Sequence, residues 1–429
     1  MIWIYNIFVT LTSLIWVPWM ILRSRRRKDP VDWKERAGTY SFQLKKGVPR
    51  VWMHAVSVGE VMAALPILRE IRKSSPNLEI VLSVTTSSGH STAMSNAQGL
   101  FDHLVYYPID IYRFVLSALV RIRPTVFAVM ETELWMNMLD ASHQLGITNI
   151  LVNGRISDRS FPRCMKLKFF YKDLLSRLDQ CLMQTETDRD RISQLGATSA
   201  QVLGNCKYDQ AVEGLDADIS AIRTSLGLPD AVPVVVVGST RSELEETLVA
   251  TALDGPPVVV VWAPRHVERA AGIKSMLESQ GHSAVLRSTG NPMGEARYMI
   301  LDTFGELANI YAVADVVVIG GGFDKLGGQN LLQALAHGKP VVHGPHMQNF
   351  ADVAKAAQAA GASKCASTAA ELREAVSSLL ADEGLRDKMG QSAKAVVTAN
   401  LGAATRYAEA IVHAAGSHNK GSIARTSDL

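Results

Sequence analysis

The stretch Val51–Pro66, VWMHAVSVGEVMAALP, joins a short apolar run to a helix-like segment through small residues. An apolar run of this length, closed by a turn, is typical of a strand in a parallel sheet that helices cover on both faces. Ser57 and Glu60 stand three residues apart at the turn, in the spacing of a capping box that begins a helix. Repetition of this strand–turn–helix unit predicts a doubly wound α/β fold.

The unit repeats on both sides of a polar interval, Lys207–Ala231, which contains no strand pattern. Before it, apolar runs lie at Val51–Ala55, Ile80–Val84, His103–Tyr107, Thr125–Met130, Asn149–Asn153 and Gln180–Gln184. After it, they lie at Val232–Ser239, Pro256–Pro264, Tyr298–Asp302, Asp315–Gly322 and Lys339–Gly344. Two doubly wound, Rossmann-like domains are therefore predicted. Because such sheets bind ligands outside the carboxyl ends of their strands, we expect the site in a cleft between the two domains.

The N-terminal segment Met1–Leu22 has no charged residue, and as a helix it would reach roughly 33 Å, enough to cross a hydrocarbon core. Five cations follow it: Arg23, Arg25, Arg26, Arg27 and Lys28. The net charge of +3 falls to −2 once these five are set aside, which argues against a nucleic-acid-binding surface. Cations after the apolar part predict that the body of the protein faces the cytosol. Polar residues dilute the segment, so spanning and interfacial anchoring both stay open.

Composition supports a folded intracellular protein, with 47% hydrophobic and 20% charged residues. The four cysteines are scattered, which fits a reducing compartment. The eleven histidines form no H-x-x-x-H pair, and no metal site is expected. The predicted organisation is an anchor with its basic run at residues 1–28, an N-terminal domain at 29–210, a C-terminal domain at 211–415 and a polar tail at 416–429.

Carboxylates follow two of the predicted strands of the N-terminal domain. Glu60 follows the first, and Glu131 and Glu133 follow the strand that ends at Met130. Each fits an ordinary acid in the first turn of a helix, and Glu60 also fits the capping box. A helix N-terminus would favour the ionised form that a general base needs, so Glu60 is either a helix cap or a working carboxylate.

The C-terminal domain carries a predicted anion-binding edge. Arg265 and His266 end a buried strand, and the glycine-rich stretch Gly320–Asn330 lies between a strand and a helix. A glycine-rich turn lets backbone N–H groups approach an anion closely, and a helix N-terminus favours negative charge. Thr303 and Glu306 have the spacing of a further capping box.

The ordered set of motifs resembles the 3-deoxy-D-manno-octulosonic acid (Kdo) transferases. The stretches that carry the resemblance are HAVSVGE (His54–Glu60), METELW (Met130–Trp135), NGRISDRSF (Asn153–Phe161), GNCKYD (Gly204–Asp209), GSTRSELEE (Gly238–Glu246), APRH (Ala263–His266), GGQN (Gly327–Asn330) and GPHMQNF (Gly344–Phe350). They run in the order of that family through nearly the whole chain.

The resemblance implies a GT-B glycosyltransferase at the cytoplasmic face of the inner membrane, acting in lipopolysaccharide synthesis. The donor would be CMP-Kdo, the acceptor the tetraacylated lipid A precursor (lipid IVA), and transfer would proceed with inversion, without a metal or other cofactor. The general base falls on Glu60, with Glu131 and Lys207 as further catalytic residues. The implied CMP contacts are Arg265, His266, Gly305, Glu306, Leu307, Asn330, Leu331, Leu332 and Gln333.

Three positions depart from the family pattern: Met136 replaces a proline, Leu326 a histidine and Gln333 a glutamate. A neutral amide accepts ribose hydroxyls more weakly than a carboxylate, so donor binding is the part of the resemblance that these departures touch. Two alternatives therefore remain at this point. One is another GT-B enzyme that takes a UDP donor and a lipid-linked sugar, and the other is a membrane-tethered binding protein without catalysis.

Overall fold

The structure, a computed structural model, describes residues 2–26, 31–213, 215 and 217–426. Arg27 and Lys28 of the predicted basic run, Met1 of the predicted anchor and the last three residues of the predicted tail lie outside the described residues. The chain divides into two compact units. The first unit holds Met1–Gln210 together with Leu401–Leu429, and the second holds Ala211–Asn400.

The first unit is built on a seven-stranded parallel sheet with the order β3-β2-β1-β4-β5-β6-β7. Its strands are β1 (Arg50–His54), β2 (Glu79–Val84), β3 (His103–Tyr106), β4 (Val126–Met130), β5 (Thr148–Gly154), β6 (Gln180–Met183) and β7 (Ala200–Val202). Its helices are α1 (Ile2–Arg26), α2 (Trp33–Arg36), α3 (Val58–Ser74), α4 (Ser87–Asn96), α5 (Tyr112–Ile122), α6 (Met136–Gln144), α7 (Phe161–Lys166), α8 (Lys168–Leu175), α9 (Glu186–Leu195) and, at its border, α10 (Cys206–Val212).

The second unit is also built on a seven-stranded parallel sheet, with the order β10-β11-β9-β8-β12-β13-β14. Its strands are β8 (Val234–Thr240), β9 (Val259–Pro264), β10 (Ala284–Leu286), β11 (Tyr298–Ile300), β12 (Val316–Ile319), β13 (Val341–His343) and β14 (Ser363–Cys365). Its helices are α11 (Ile219–Leu226), α12 (Glu243–Leu253), α13 (Ala270–Ser279), α14 (Leu307–Ile310), α15 (Leu332–Ala336), α16 (Ala351–Ala359), α17 (Ala369–Ala381) and α18 (Glu383–Ala399). The final helix, α19 (Ala403–Thr426), belongs to the first unit.

The cores follow from strands that are buried on both faces. In β1, Val51 and Met53 join one apolar cluster of the first unit and Trp52 joins the cluster on the opposite face. Successive side chains of a strand point to opposite faces, so a continuous apolar run serves two helical layers at once. The prediction of two doubly wound domains from these runs is confirmed.

The helix α19 corrects the predicted domain boundary. Residues 401–415 were assigned to the C-terminal domain, but Tyr407 and Ile411 are fully buried in the core of the first unit. The carboxylate of Asp209 accepts the N–H groups of Gly402 and Ala404, at 2.7 and 3.0 Å, at the start of the helix. The hydroxyl of Tyr407 donates to the carbonyl oxygen of Gly204 at 2.8 Å. The helix also continues into the predicted polar tail, as far as Thr426.

We expect Tyr407→Ala to loosen the first unit alone. Removal of a fully buried aromatic ring costs about 3–5 kcal/mol of unfolding free energy. Hydrogen exchange read by mass spectrometry should accelerate in α3, β6 and α19 and stay unchanged within residues 211–400. Tyr298→Ala, which removes an equally buried ring from the second unit, is the control and should give the reverse pattern. Faster exchange confined to residues 211–400 in Tyr407→Ala would restore the boundary that the sequence suggested.

Candidate active site

Glu60 lies in the first turn of α3, directly after β1, but it does not complete a capping box. Ser57 is the N-cap residue and makes no side-chain hydrogen bond to the helix. The carboxylate of Glu60 instead accepts the N–H of Val56, one residue before the N-cap, at 2.6 Å. The predicted reciprocal box is therefore wrong. One carboxylate oxygen of Glu60 holds the turn between strand and helix, and the side chain of Ser57 makes no hydrogen bond to the helix start.

The structure brings Glu131 and Lys207 to Glu60. Glu131 follows the last residue of β4, the neighbour of β1 in the sheet, and Lys207 is the second residue of α10. The ammonium of Lys207 lies 3.8 Å from a carboxylate oxygen of Glu131. Both groups act on the ionisation of Glu60, as does Glu133 from the same loop. The three residues predicted to be catalytic thus lie within electrostatic reach of one another in one unit.

Burial, more than any other influence, raises the pKa of Glu60, to about 8. The hydrogen bond from Val56 and the charge of Lys207 lower this pKa, but the negative charges of Glu131 and Glu133 raise it further. The expectation that the helix N-terminus keeps Glu60 readily ionised is therefore wrong. The helix end is outweighed, because a half-buried carboxylate beside two others is costly to charge.

Glu133 has a raised pKa for the same reason, with burial as the first cause and the charge of Glu131 adding to it. A hydrogen bond from Trp135 opposes the shift. Acidic side chains that lie close together in a partly buried site, but in different environments, commonly act as proton donors and acceptors.

Strained backbone supports the site from β4 and β5. Glu131 and Asn153 have left-handed backbone, with φ of 55° and 53°, which residues other than glycine seldom adopt. The side-chain oxygen of Asn153 accepts the N–H of Cys206, at 3.2 Å, at the start of α10. Asn153 therefore helps to position the helix that carries Lys207. This role of Asn153 could not be predicted from the sequence, because an unusual φ leaves no pattern in an apolar run.

The second unit holds a pocket of about 280 Å³ at the carboxyl ends of its central strands. Five of the predicted CMP contacts line it: Arg265, Gly305, Leu307, Asn330 and Gln333. The side chain of Arg265 is exposed at this edge, directly after β9. Polar groups that converge on a pocket at the strand ends are the usual form of a ligand site in such sheets.

The other predicted contacts do not line this pocket. Leu331 and Leu332 are fully buried in the core, and the side chain of His266 is exposed outside the pocket. The carboxylate of Glu306 accepts hydrogen bonds from the hydroxyl of Thr303 and, at 3.0 Å, from the guanidinium of Arg287. The capping box predicted for Thr303 and Glu306 is wrong, because α14 begins without a side-chain cap.

The pocket also has lining residues that sequence reasoning missed. They are Ser239, Ala263, Pro264, Val267, Leu301, Thr303, Phe304, Tyr311 and Gln329. Phe304 is 77% exposed, so the face of its ring is available to a ligand. A glycine is required at Gly320, where a Cβ atom would lie 2.6 Å from the backbone nitrogen of Thr240.

Two buried carboxylates hold the loops around the pocket. Glu245 accepts N–H groups from Arg241 at 2.9 Å and from Phe323, in the glycine-rich loop, at 3.3 Å. Glu246 binds the guanidinium of Arg269 through two hydrogen bonds of 2.8 and 2.6 Å. This pair fastens the turn after β9, which carries Arg265. Both glutamates lie in the motif Gly238–Glu246, and nothing in that stretch indicated which groups they contact.

The helix after the glycine-rich loop is short. It begins only at Leu332 and has five residues, and the side-chain oxygen of Asn330 already accepts the N–H of Leu332 at 3.0 Å. One N–H group at the start of this helix is therefore already bonded by a side chain and is not offered to an anion. Among the described residues, no group of three or more His, Cys, Asp and Glu side chains is arranged to hold a metal ion.

Two protein-family models match parts of the chain. A family model described as 3-Deoxy-D-manno-octulosonic-acid transferase (kdotransferase) matches residues 31–210, and one described as glycosyl transferases group 1 matches residues 300–396. The 3-deoxy-D-manno-octulosonic acid transferase of Bordetella pertussis is 32% identical over 94% of this chain and 96% of its own length. That of Haemophilus influenzae is 31% identical over 87% of this chain and 88% of its own length.

Solved structures confirm the predicted GT-B type of fold. A glycosyltransferase from Rickettsia africae superimposes with a TM-score of 0.58, over 86% of this chain and 98% of its own, at 9% identity. MurG of Acinetobacter baumannii gives a TM-score of 0.57, over 85% and 99%, at 12% identity. At such identities the likeness concerns the fold alone. The expectation of a site in a cleft between the two units stays a prediction.

The raised pKa of Glu60 leads to a prediction about stability. Because the folded protein holds this proton up to about pH 8 and an ordinary glutamate releases it near 4.5, the unfolding free energy should fall as the pH rises through this interval. Glu60→Gln has no such proton to lose. Its stability relative to the wild-type protein should therefore increase between these pH values and then level off.

Thermal unfolding of both proteins across the pH series measures this difference. Glu70→Gln, which removes a carboxylate from the same helix α3, controls for the loss of one charge. A stability difference that stays constant with pH would mean that the folded and unfolded chains hold the Glu60 proton equally.

Proposed function

The chain belongs to the 3-deoxy-D-manno-octulosonic acid (Kdo) transferase family and is a glycosyltransferase, and from this premise we propose its donor, acceptor and mechanism. The proposed reaction moves Kdo from CMP-Kdo to the tetraacylated lipid A precursor, with inversion, in lipopolysaccharide synthesis. The proposed location is the cytoplasmic face of the inner membrane. The helix α1 supports this location by its length and composition, since a stretch of 18 residues within Ile2–Ser24 has a mean hydropathy of 1.6.

The observation that carries the proposed mechanism is the carboxylate cluster beside Lys207. A general base works best when its pKa lies near the working pH, and burial together with the neighbouring acids raises the pKa of Glu60 to about 8. Glu60 takes the proton of the acceptor hydroxyl as its oxygen bonds to the anomeric carbon of Kdo. The bond from that carbon to the phosphate oxygen breaks, and its electron pair leaves with CMP. Lys207 offsets the negative charge that gathers when Glu60 and Glu131 are both ionised.

The pocket of the second unit supports the proposed donor. Arg265 offers a cation for the single phosphate, and the ring of Phe304 offers a face for stacking of the base. Asn330 and Gln333 offer amides for the ribose hydroxyls. A monophosphate leaving group carries less charge than a diphosphate, so a guanidinium can oppose it without a metal ion, as we propose here.

The direct test uses radiolabelled CMP-Kdo and lipid acceptor with the purified protein in detergent. Transfer of label to the lipid is the expected result. A UDP-sugar supplied in place of CMP-Kdo tests the alternative donor, and transfer from it alone would overturn the proposal. Binding of donor without transfer of label would point to the catalytically inactive alternative.

Glu60→Gln should lower turnover by about 10²–10⁴-fold, because glutamine cannot accept the proton. CMP affinity should be retained, since the proposed nucleotide pocket lies in the other unit. Turnover of the wild-type enzyme should rise with pH and level off above about 8, where Glu60 is ionised. The measurements are turnover number and CMP affinity for both proteins across pH. A variant with wild-type turnover would leave Glu60 as a structural brace for the turn at Val56.

Arg265→Ala should weaken CMP binding by roughly 1.5–3 kcal/mol, the usual worth of a hydrogen bond to a charged group. Calorimetry with CMP measures this effect. Lys325→Ala, which removes an exposed cation from the glycine-rich loop outside the pocket, is the matched control. Equal losses in the two variants would mean that only the overall charge matters. For Gln333→Glu we expect equal or tighter CMP binding.

A further inference from the structure

The helix α1 is shielded along one side only. The shielded side carries Ser13 and Ser24, which are 7% and 9% exposed, together with the half-buried apolar residues Val9, Trp16 and Met20. Large apolar side chains occupy the opposite side: Trp3, Phe8, Leu11, Leu14, Ile15 and Trp19 are each more than half exposed. A helix that is apolar on both sides, with one side shielded and the other exposed, fits a position between a protein surface and an apolar medium.

The N-terminal end of α1 is fastened to the first unit. The hydroxyl of Tyr5 donates to the carboxylate of Asp110 at 2.7 Å. The same buried carboxylate accepts the N–H groups of Asn137 and Met138, at 3.1 and 3.0 Å, at the start of α6. The ring of Tyr5 also lies 6.3 Å from that of Phe170 in α8, measured between centroids.

The C-terminal end of α1 is tied to the same unit by the length of the chain. Five peptide links join Arg26 to Val31, and they can reach at most about 18 Å. Val31 packs against the core of the first unit. From Tyr5 to Arg26 the helix rises about 32 Å, close to the thickness of a hydrocarbon core. If α1 crossed a bilayer, Tyr5 would lie on the far side, where it could not reach Asp110.

A second apolar and basic surface adjoins α1 at the helices α7 and α8. Leu167 and Phe169 are 51% and 62% exposed, and Phe169 is next to the residue that contacts Tyr5. Exposed cations surround this pair: Arg163, Lys166, Lys168 and Lys172. Exposed apolar side chains surrounded by cations can insert at the boundary between the acyl chains and the headgroups of an anionic bilayer.

We infer that α1 lies in the plane of the membrane surface, without crossing it, and that Leu167 and Phe169 enter the same leaflet beside it. The occupant of this combined surface is an anionic lipid bilayer. The inference rests on the membrane location proposed above and adds how the protein is held there. It also sets the orientation of the first unit, because the exposed side of α1 and the exposed side chains of α7 and α8 then face the bilayer.

Topology is tested on the full chain with a cysteine-bearing tag placed before Met1, in a Cys365→Ser background. A membrane-impermeant maleimide is applied to intact spheroplasts and to permeabilised ones. The in-plane helix keeps the tag on the side of the catalytic body, so labelling should require permeabilisation. The untagged protein with its exposed Cys365 is the control and should behave in the same way.

Labelling of the tag in intact spheroplasts, with Cys365 protected, would overturn the in-plane arrangement and leave the proposed membrane location standing. Recovery of the full chain from the soluble fraction would overturn both. The two results are therefore distinguishable.

The second surface is tested by flotation of the full chain with vesicles of mixed anionic and zwitterionic lipid at limiting lipid concentration. Phe169→Gln should lower the bound fraction several-fold, and up to about tenfold if the ring is fully withdrawn from water. Leu244→Gln is the matched control, because Leu244 is similarly exposed in the second unit. Equal binding of both variants and wild-type protein would overturn the contribution of α8, and equal binding to purely zwitterionic vesicles would overturn that of the cations.

Discussion

In the middle of each sheet the order of the strands reverses, between β1 and β4 in the first unit and between β8 and β12 in the second. Connections on the two sides of such a reversal run over opposite faces of the sheet, so the carboxyl ends of the two central strands are left uncovered. Glu60 and Glu131 stand at the first of these openings, and Ser239 and Gly320 stand at the second. Glu60 and Glu131 are far apart in sequence, and the parallel pairing of β1 with β4 brings them together. The pairing of β8 with β12 does the same for Ser239 and Gly320.

Both openings are held in conformations that cost free energy. Glu131, Asn153 and Ser239 adopt left-handed backbone where strands end, at about 1–3 kcal/mol each. Burial of Glu60 near two further acids adds an electrostatic cost, which appears as a raised pKa. The extensive cores on both faces of each sheet can sustain such costs, since Val, Ile and Leu side chains fill them without exposure to water. The cores of the sheets thus stabilise the fold, and the destabilising groups lie at the carboxyl ends of the strands.

The sequence predicted the strands that lie in distinct apolar runs, but it missed β7, β10 and β14. All three have three residues and lie at the edges of their sheets, where little apolar surface is needed. The carboxylates and the arginine of the two sites could be located, since they follow apolar runs directly. Their environments could not, because the pKa of Glu60 depends on Glu131, Glu133 and Lys207, which pattern alone does not place beside it. The packing of α19 on the first unit was also missed, because its apolar side could fit any core of suitable shape.

This packing of α19 makes the first unit discontinuous, with the second unit inserted between its parts. During synthesis the sheet of the first unit emerges early, yet the surface that Tyr407 and Ile411 cover stays open until the last helix has left the ribosome. At ordinary rates of translation the roughly 190 residues between them take on the order of 10 to 40 s. The inserted unit is complete in sequence before its host, so it can fold independently while the host waits with an uncovered apolar face. A nascent chain stalled within residues 211–400 is therefore a natural client for chaperones, and a premature stop there harms the unit that was made first.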